Sequence, residues 1–461
     1  MEERQTVRRI LDSSLPMRTT LLTMIEVSLV LAAPLLTFGA LAEEDFALIP
    51  SMEGGACLVG IILLFCLYCV DFYEPKITTL RLQSVSRIVQ ALGVAMLIMA
   101  PLIQLWVPGL DPTPAVVGMA LAATFLAISR CLFAEIAQHP AYAESAIVWG
   151  SGPLAANIIH ELTKRPDIGI RVLGIVDQSF TGNIFAGVRN LGAPEMMWSI
   201  REARQVRRII VAVDERRGSL PVEELMAAKA AGLSFEDGAE LYEELTGKVW
   251  LGTFSVGCLL FSRRLRPSVT KLFVKRIFSI LFAVIGLIVA LPVMMVTVLL
   301  IRLDTPGPVI LRQIRVGENG RPFTLFKFRS MKVGSAGSAP ATRDDPRCTR
   351  IGKWIRRSRI DELPQLVNIL KGDMCFIGPR PFVPEQEAIL AKEIPLYRQR
   401  WLVRPGATGW AQVHRDYCVS IEDNVEKLSY DLFYIKNLSM VLDMLTLLKT
   451  FKVMLLGRGG R

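Results

Sequence analysis

The sequence predicts a membrane protein in three parts: an α-helical N-terminal block of four transmembrane helices, an α/β middle domain, and an α-rich C-terminal domain. The last part carries a membrane helix that enters and leaves by one leaflet. Three observations predict this. First, 51% of the 461 residues are hydrophobic and 21% are charged, with a mean hydropathy of +0.39, too apolar for a disordered chain or an ordinary soluble enzyme. Second, long apolar runs crowd the N-terminal part, whereas strand and helix patterns alternate between about 143 and 260. Third, residues 261–461 hold 33 Lys and Arg against 16 Asp and Glu, a balance of +17, while residues 1–260 carry −7. The C-terminal part therefore faces something anionic: nucleic acid, lipid head groups or a phosphorylated substrate. At roughly 150 residues per domain, the expected boundaries are 1–140, 141–262 and 263–461.

The N-terminal runs are 19–41, 56–72, 88–107 and 113–133, each near the 20 or so apolar residues that a spanning helix needs. Arg4, Arg8, Arg9 and Arg18 precede the first, and Lys76, Arg81 and Arg87 separate the second from the third. Loop 42–55 instead holds Glu43, Glu44, Asp45 and Glu53. Basic loops stay on the cytoplasmic side, so both ends of this block are expected there. The first run is long and lacks a small-residue cleavage pattern, which argues against a cleaved signal peptide. Glu26, inside that run, is expected to be buried between helices or near an interface.

A fifth run, Ile277 to Ile301, has 25 uncharged residues between Lys275 and Arg276 on one side and Arg302 on the other. Crossing the bilayer would export the basic domain against the charge rule. Pro292 lacks a backbone donor and is expected to break or kink the helix, so 277–301 is expected to be re-entrant.

In the middle domain, Ser145–Trp149 reads as a strand, Gly150–Ala155 as a tight turn, and Ala156–Thr163 as a helix. A second strand, Ile170–Val176, ends at Asp177, and Arg208–Val213 supplies a third. This is a GxGxxA turn in a Rossmann-like context, with an acid 27 residues after Gly150. Gly150 and Gly152 are the weak candidates for a cofactor's pyrophosphate. A fold that keeps the turn and binds no dinucleotide is favoured, because Pro153 occupies the turn and the domain is short.

The eight cysteines (57, 66, 69, 131, 258, 348, 375 and 418) form no paired framework, and His139, His160 and His414 lie far apart. A structural zinc site is not expected; a hard cation on carboxylates and phosphates is.

From Asp304 onward, the residue types suit phosphate chemistry. The turn Thr305–Pro308 is followed by Arg312, Gln313, Arg315, Gly317, Gly320 and then KFRSM at 327–331. Arginine forks and lysine ammonium groups beside glycine backbone hold pyrophosphate oxygens. Arg356, Arg357 and Arg359 suit either that role or a membrane-facing surface. They precede the sharpest feature, Asp361-Glu362. One acid can attack phosphorus while the other assists a proton or a metal. Equally, Asp361 could cap a helix with Glu362 favouring its dipole.

These strings, in this order, resemble the bacterial sugar transferase family, the monotopic phosphoglycosyl transferases. The matching residues are Lys275-Arg276, TPGPV at 305–309, RVGENGRPF at 315–323, KFRSM at 327–331, DELPQLVNIL at 361–370, GD at 372–373, GPRP at 378–381, RPGATGWAQV at 404–413, and a closing run through Lys427, Asp431, Tyr434 and Asp443. Residues 213–249 are similar to the large branch, the polyprenyl-phosphate hexose-1-phosphate transferases of exopolysaccharide assembly. The resemblance implies that Asp361 attacks the sugar-proximal phosphate of a UDP-sugar, releasing UMP. Glu362 would assist through Mg²⁺, held with Asp361, or by activating the incoming polyprenyl (undecaprenyl) phosphate. Lys327, Arg329, Arg359, Arg380 and Arg404 would contact substrate phosphates. It also implies a re-entrant helix, a homodimer, and a bacterial inner membrane location with the middle and catalytic domains cytoplasmic.

Two positions depart from the family pattern: Ser279, where an acid is usual, and Ile377, where a less bulky residue is usual. Ser279 bears on packing at the membrane interface more than on catalysis. The run Leu442–Leu456, with Lys449 and Lys452, suits an amphipathic helix on the membrane. A membrane-bound nucleotide-sugar dehydratase is disfavoured, because no tyrosine has a lysine four residues on. An inactive assembly scaffold is disfavoured by the intact acid pair. Nucleic acid is not the expected partner, since the basic residues sit inside transferase motifs beside a membrane anchor.

Overall fold

The computed structural model describes residues 17–41, 49–73, 81–106, 113–139, 143–193, 206–213, 226, 229–230, 232–252, 268–334, 345–415 and 420–455. Contacts divide the chain into two compact units, one ending at Gly247 and the other starting from Lys248. The expected boundary at 262 lies outside the described residues, as do Arg4, Arg8, Arg9, Glu43, Glu44, Asp45 and Lys76.

The first unit begins with helices α1 (Met17–Leu41), α2 (Ile49–Cys69), α3 (Arg81–Trp106) and α4 (Thr113–Gln138). Small residues allow them to approach: Ala33, Ala56, Ala91, Ala95 and Ala122 are buried among Leu63, Leu67 and Leu126. Among the described residues, three helices are long and apolar enough to cross a membrane, Thr19–Thr37, Thr113–Ala137 and Val269–Asp304, with shorter apolar helices at Gly54–Cys69 and Gln83–Met99. This is the pattern of a membrane protein. Glu26 is buried as expected, and the structure supplies its partner. Arg130 on α4 grips both carboxylate oxygens, Nε to Oε1 at 2.6 Å and Nη2 to Oε2 at 2.7 Å, with its guanidinium 4.2 Å from the centre of the Phe72 ring.

The α/β part follows. Strand β1 (Glu144–Trp149) leads through a turn to α5 (Pro153–Lys164), whose Leu154, Ala155, Ile158, Ile159 and Leu162 form one buried stripe. Strands β2 (Ile170–Val176), β3 (Ile184–Phe185), β4 (Val188–Asn190), β5 (Arg208–Val211) and β6 (Ser234–Asp237) complete a six-stranded sheet, ordered β3-β4-β2-β1-β5-β6. Its pairs are parallel except for the β3–β4 hairpin. Helix α6 (Gly238–Thr246) closes the unit, capped by Asp237. The turn Pro166–Ile168 packs against α1 and α4, with Asp167 buried in an ion pair to Arg165 at 3.1 Å.

The second unit is organised on α7 (Val269–Asp304), 36 residues long. At 1.5 Å per residue it extends about 54 Å. The helix runs on through Pro292 without the expected break. One stripe is buried: Lys275, Ser279, Ala283, Thr297 and Ile301. Ala283 packs with Leu325, Leu366 and Ile369, and Ile301 with Phe328 and Ile355, so the domain follows the helix along its length. The other face exposes Ile277, Leu281, Ile288, Val289, Val296 and Leu299.

The basic flank ahead of the run is turned inward. Lys275 pairs with Asp443 at 2.8 Å and donates to the Tyr434 hydroxyl, while Arg276 donates to the carbonyls of Ile369 and Leu370. These carbonyls lie in the last turn of a helix, where that of Ile369 also accepts from Gly372 N at 3.1 Å. Ser279 accepts from the Phe376 amide at 3.3 Å, tying α7 to the sheet beside it.

The hairpin of β7 (Ile310–Val316) and β8 (Pro322–Phe328) leads to α8 (Arg350–Arg357) and α9 (Gln365–Lys371). Strand β9 (Cys375–Ile377), helix α10 (Pro384–Glu393) and strand β10 (Gly406–Thr408) follow, β9 and β10 pairing in parallel. The chain ends in α11 (Trp410–His414), α12 (Ile421–Lys436), with a Ser420–Asp423 capping box, and α13 (Met440–Leu455). Helix α13 buries Leu442, Asp443 and Thr446 and exposes Leu448, Phe451 and Met454.

Candidate active site

The acid pair sits on a single 3₁₀ turn, Ile360–Glu362, between α8 and α9. Helix α8 is fixed ahead of it by Thr349, whose hydroxyl accepts from the Gly352 amide at 2.9 Å. Gly352 itself must be glycine, since a Cβ there would fall 1.9 Å from the Ser330 carbonyl oxygen. Arg359 enters the turn in a left-handed conformation, φ 59°, which non-glycine residues rarely adopt and which marks stored strain beside the acids. Behind the turn, Asn368 locks α9 to β8. Its side chain accepts from Phe326 N at 3.0 Å and donates to Thr324 O at 2.7 Å, which places Lys327 opposite Glu362.

Three of the expected phosphate-binding cations converge on Glu362 Oε1: Arg380 at 2.9 Å, Lys327 at 3.5 Å and Arg359 at 3.5 Å. Burial alone would raise the Glu362 carboxyl, but Arg380, Lys327 and Arg359 hold it far below the usual range. Asp361 is buried, and desolvation, reinforced by the ionised Glu362, pushes its carboxyl upward. Two neighbouring acids thus have their proton affinities driven apart, the usual mark of divided roles. Burial pushes the Lys327 ammonium down, and the Glu362 charge raises Arg380.

The other expected contacts lie elsewhere. Arg329 does not join the cluster: β8 ends at Phe328, and its guanidinium donates to Pro306 O at 2.7 Å and Thr305 O at 2.6 Å, clamping the turn after α7. Arg404 pairs with Glu318 at 3.2 Å. Arg356 donates to Cys348 Sγ at 2.9 Å, and Arg357 is exposed. Arg315, read only as part of a basic string, proves a hidden member. Burial and the charge of Arg380 push it down to about 10, and its Nη1 donates to Pro381 O at 3.2 Å, inside the GPRP motif.

A magnesium ion is compatible with this donor set. Mg²⁺ commonly takes one or two carboxylates and completes its shell with substrate phosphate oxygens and water. Asp361 and Glu362 would be the carboxylates, and among the described residues no cluster of three metal-ligating side chains exists. In the middle domain, Gly150 (φ 118°) lies where a Cβ would be 2.6 Å from the Ala212 carbonyl, and Gly152 caps α5 without a side-chain bond. Asp177 is occupied by the chain itself, accepting from Ser151 Oγ at 2.6 Å and Ser179 Oγ at 2.7 Å.

The acid pair thus stands ahead of helix α9, clamped by cations, in the unit built on the apolar helix α7. Residues 270–457 match the family model described as bacterial sugar transferase. The chain is similar to the Aeromonas hydrophila UDP-N-acetylgalactosamine-undecaprenyl-phosphate N-acetylgalactosaminephosphotransferase, 44% identical over 230 residues, 48% of this chain and 52% of that protein. It is 40% identical over 181 residues to the Rhizobium leguminosarum bv. phaseoli exopolysaccharide production protein PSS, covering 38% of this chain and 90% of that protein. It is also 39% identical over 183 residues to the Escherichia coli (strain K12) UDP-glucose:undecaprenyl-phosphate glucose-1-phosphate transferase, 39% of each chain. The chain belongs to the bacterial sugar transferase family. It spans about half the length of the Aeromonas relative.

Proposed function

We propose that this protein transfers a hexose-1-phosphate from a UDP-sugar to undecaprenyl phosphate, the first membrane step of an exopolysaccharide pathway. The observation that carries the reading is the split acid pair: a buried Asp361 beside a Glu362 held ionised by three cations. An Asp361 carboxylate oxygen attacks the sugar-proximal phosphorus. The bond from that phosphorus to the bridging oxygen breaks, its electron pair leaving with UMP, and an aspartyl phospho-sugar remains. An oxygen of undecaprenyl phosphate then attacks the same phosphorus, restoring the Asp361 carboxylate and giving undecaprenyl-diphospho-sugar. Lys327, Arg359 and Arg380 orient the phosphates and stabilise charge that develops on them. Magnesium, when bound at Asp361 and Glu362, would supply further neutralisation of phosphate charge.

The membrane arrangement belongs to the same reading. The N-terminal helices form a four-pass block, and α7 lies in one leaflet as a re-entrant anchor. Its support is that one unit packs on α7 both at Lys275–Ala283 and at Thr297–Ile301, so the two ends of the apolar run meet the same domain. The exposed apolar faces of α7 and α13 then lie against lipid of the inner membrane, and the middle and catalytic domains are cytoplasmic. The Rossmann-like domain serves as a structural module, and the protein works as a homodimer. Relatives whose names print N-acetylgalactosamine and glucose bracket the donor class.

The test is UMP release by purified full-length protein from a panel of UDP-sugars with undecaprenyl phosphate and Mg²⁺. One donor is expected to be used, with release lost in Asp361→Asn; release undiminished in the variant would overturn the nucleophile.

A further inference from the structure

The clamp residue Arg380 projects from a segment with almost no freedom. Pro379 and Pro381 fix φ on either side of it. Gly378 N donates to Thr408 O at 2.8 Å, and Pro379 O accepts from Gly406 N at 3.0 Å. Phe382 O accepts from Val316 N at 3.1 Å, and Pro381 O accepts from Arg315 Nη1. The remaining carbonyl, that of Arg380 itself, accepts from Arg400 Nη2 at 2.9 Å. Four successive carbonyls are therefore taken, two of them by arginine side chains.

Arg400 is only 3% exposed and stands at the centre of a buried charge cluster. Its Nε donates to Asp431 Oδ2 at 2.9 Å, and its Nη1 reaches Glu387 Oε1 at 3.5 Å and the Tyr397 hydroxyl. Glu387 Oε2 is bound by the Trp401 indole at 3.2 Å. The guanidinium packs 5.1 Å from the centre of the Phe382 ring, and Lys427 lies 4.6 Å from the same ring. Taking these charges out of water is costly, and an apolar cluster would pack the same space at lower cost. What an apolar cluster could not do is hold the Arg380 carbonyl from a fixed direction.

We propose that Arg400, held in place by Asp431 and Glu387, is a positioning residue that fixes the backbone of Arg380 and so keeps its guanidinium on Glu362 in the phosphate site. This rests on the transferase reading above. None of the three side chains needs to touch substrate. They act as supporting partners do in other preorganised sites, where their loss costs about 10- to 100-fold in activity.

The experiment is a rapid-mixing measurement of UMP formation by the full-length protein, with the UDP-sugar that the panel identifies. The burst amplitude counts competent sites, and the burst rate reports the chemical step. Arg400→Lys keeps the buried charge but cannot reach two carboxylates and the Arg380 carbonyl at once. The proposal expects its burst rate to fall about 10- to 100-fold at unchanged amplitude. In an Arg380→Gln background the same change should add less than about twofold, since both act on one element. A reduced amplitude at the wild-type rate would show a merely structural role and overturn the proposal. So would full additivity with Arg380→Gln. Should Arg400→Lys not fold, Asp431→Asn is expected to show the same rate-only loss at about 3- to 10-fold, and a wild-type rate there overturns the proposal. A wild-type protein silent with every donor would instead overturn the transferase reading itself, and this inference with it.

Discussion

The two units each set an aspartate at the mouth of a turn, and they treat it in opposite ways. At Asp177, burial would raise the carboxyl, but hydrogen bonds from Ser151 and Ser179 bring it below its ordinary value. The chain satisfies that acid from within, and the close approach of Ala212 by itself requires glycine at position 150. At Asp361, burial and an ionised neighbour push the carboxyl up, while the nearby cations gather on Glu362. A satisfied acid stabilises a fold, whereas an acid left at high energy is available for chemistry. On the proposed reading, the contrast separates a structural Rossmann-like turn from a reaction centre, though both looked like phosphate motifs in sequence.

The contrast can be broken or sharpened by substitution. Arg380→Gln removes the closest cation from Glu362 and should cut UMP release on the order of 100-fold, as loss of one charge-stabilising donor typically does. A loss below about threefold would remove Arg380 from the mechanism.

Next in size is the pH response. Asp361 must be ionised to attack, and its carboxyl is pushed up to about 6. The rate should fall about tenfold per unit as pH drops below that range, the limb belonging to the coupled pair rather than to one residue. A flat profile down to pH ~5 would contradict the high-energy acid.

Stability should respond with opposite signs at the two aspartates. The folded-state carboxyl of Asp361 lies near 6 against 3.8 when exposed, so its ionised form opposes folding above about pH 6. That penalty shrinks as pH falls from 6 and is absent below 3.8. Asp361→Asn should therefore raise unfolding free energy by about 1–3 kcal/mol at pH 7.5, and the gain should vanish near pH 4. Asp177→Asn, which weakens the hydrogen bonds from Ser151 and Ser179, should lower stability by about 1 kcal/mol. Chemical denaturation of both variants checks the pair of signs. The smallest expected effect is on turnover in Asp177→Asn, which should stay within about twofold of wild type. A larger loss would mean that the α/β domain takes part in the reaction.

Much of this was legible in sequence where a short-range rule applied. The four apolar runs became α1 to α4, and the strands expected at 145–149 and 170–176 appear as Glu144–Trp149 and Ile170–Val176. Both follow from periodicity, which is local. The acid pair stood out by its residue types, while Lys327, Arg359 and Arg380, which gather on Glu362, were expected through the family resemblance. What could not be read was pairing across the fold. Arg130 lies 104 residues from Glu26, and no spacing links them. Arg329 is two residues from Lys327 and would share its face if β8 continued, but the strand stops at Phe328 and the side chain turns to the Thr305 carbonyl. Lys275 and Arg276 read as a membrane flank because charge is visible in sequence while a buried Asp443 partner is not. Arg400 escaped notice for the same reason: its role is to hold a carbonyl, which no residue type announces.

The central claim is that Asp361 takes the phospho-sugar before the lipid arrives. Purified protein mixed with Mg²⁺ and the UDP-sugar it uses, in the absence of undecaprenyl phosphate, should release one UMP per active chain. Peptide mass spectrometry of the quenched sample should then place a single hexose-phosphate adduct on the peptide containing Asp361. Release of UMP only when undecaprenyl phosphate is present, with no adduct on that peptide, would contradict the account and indicate direct transfer between the two substrates.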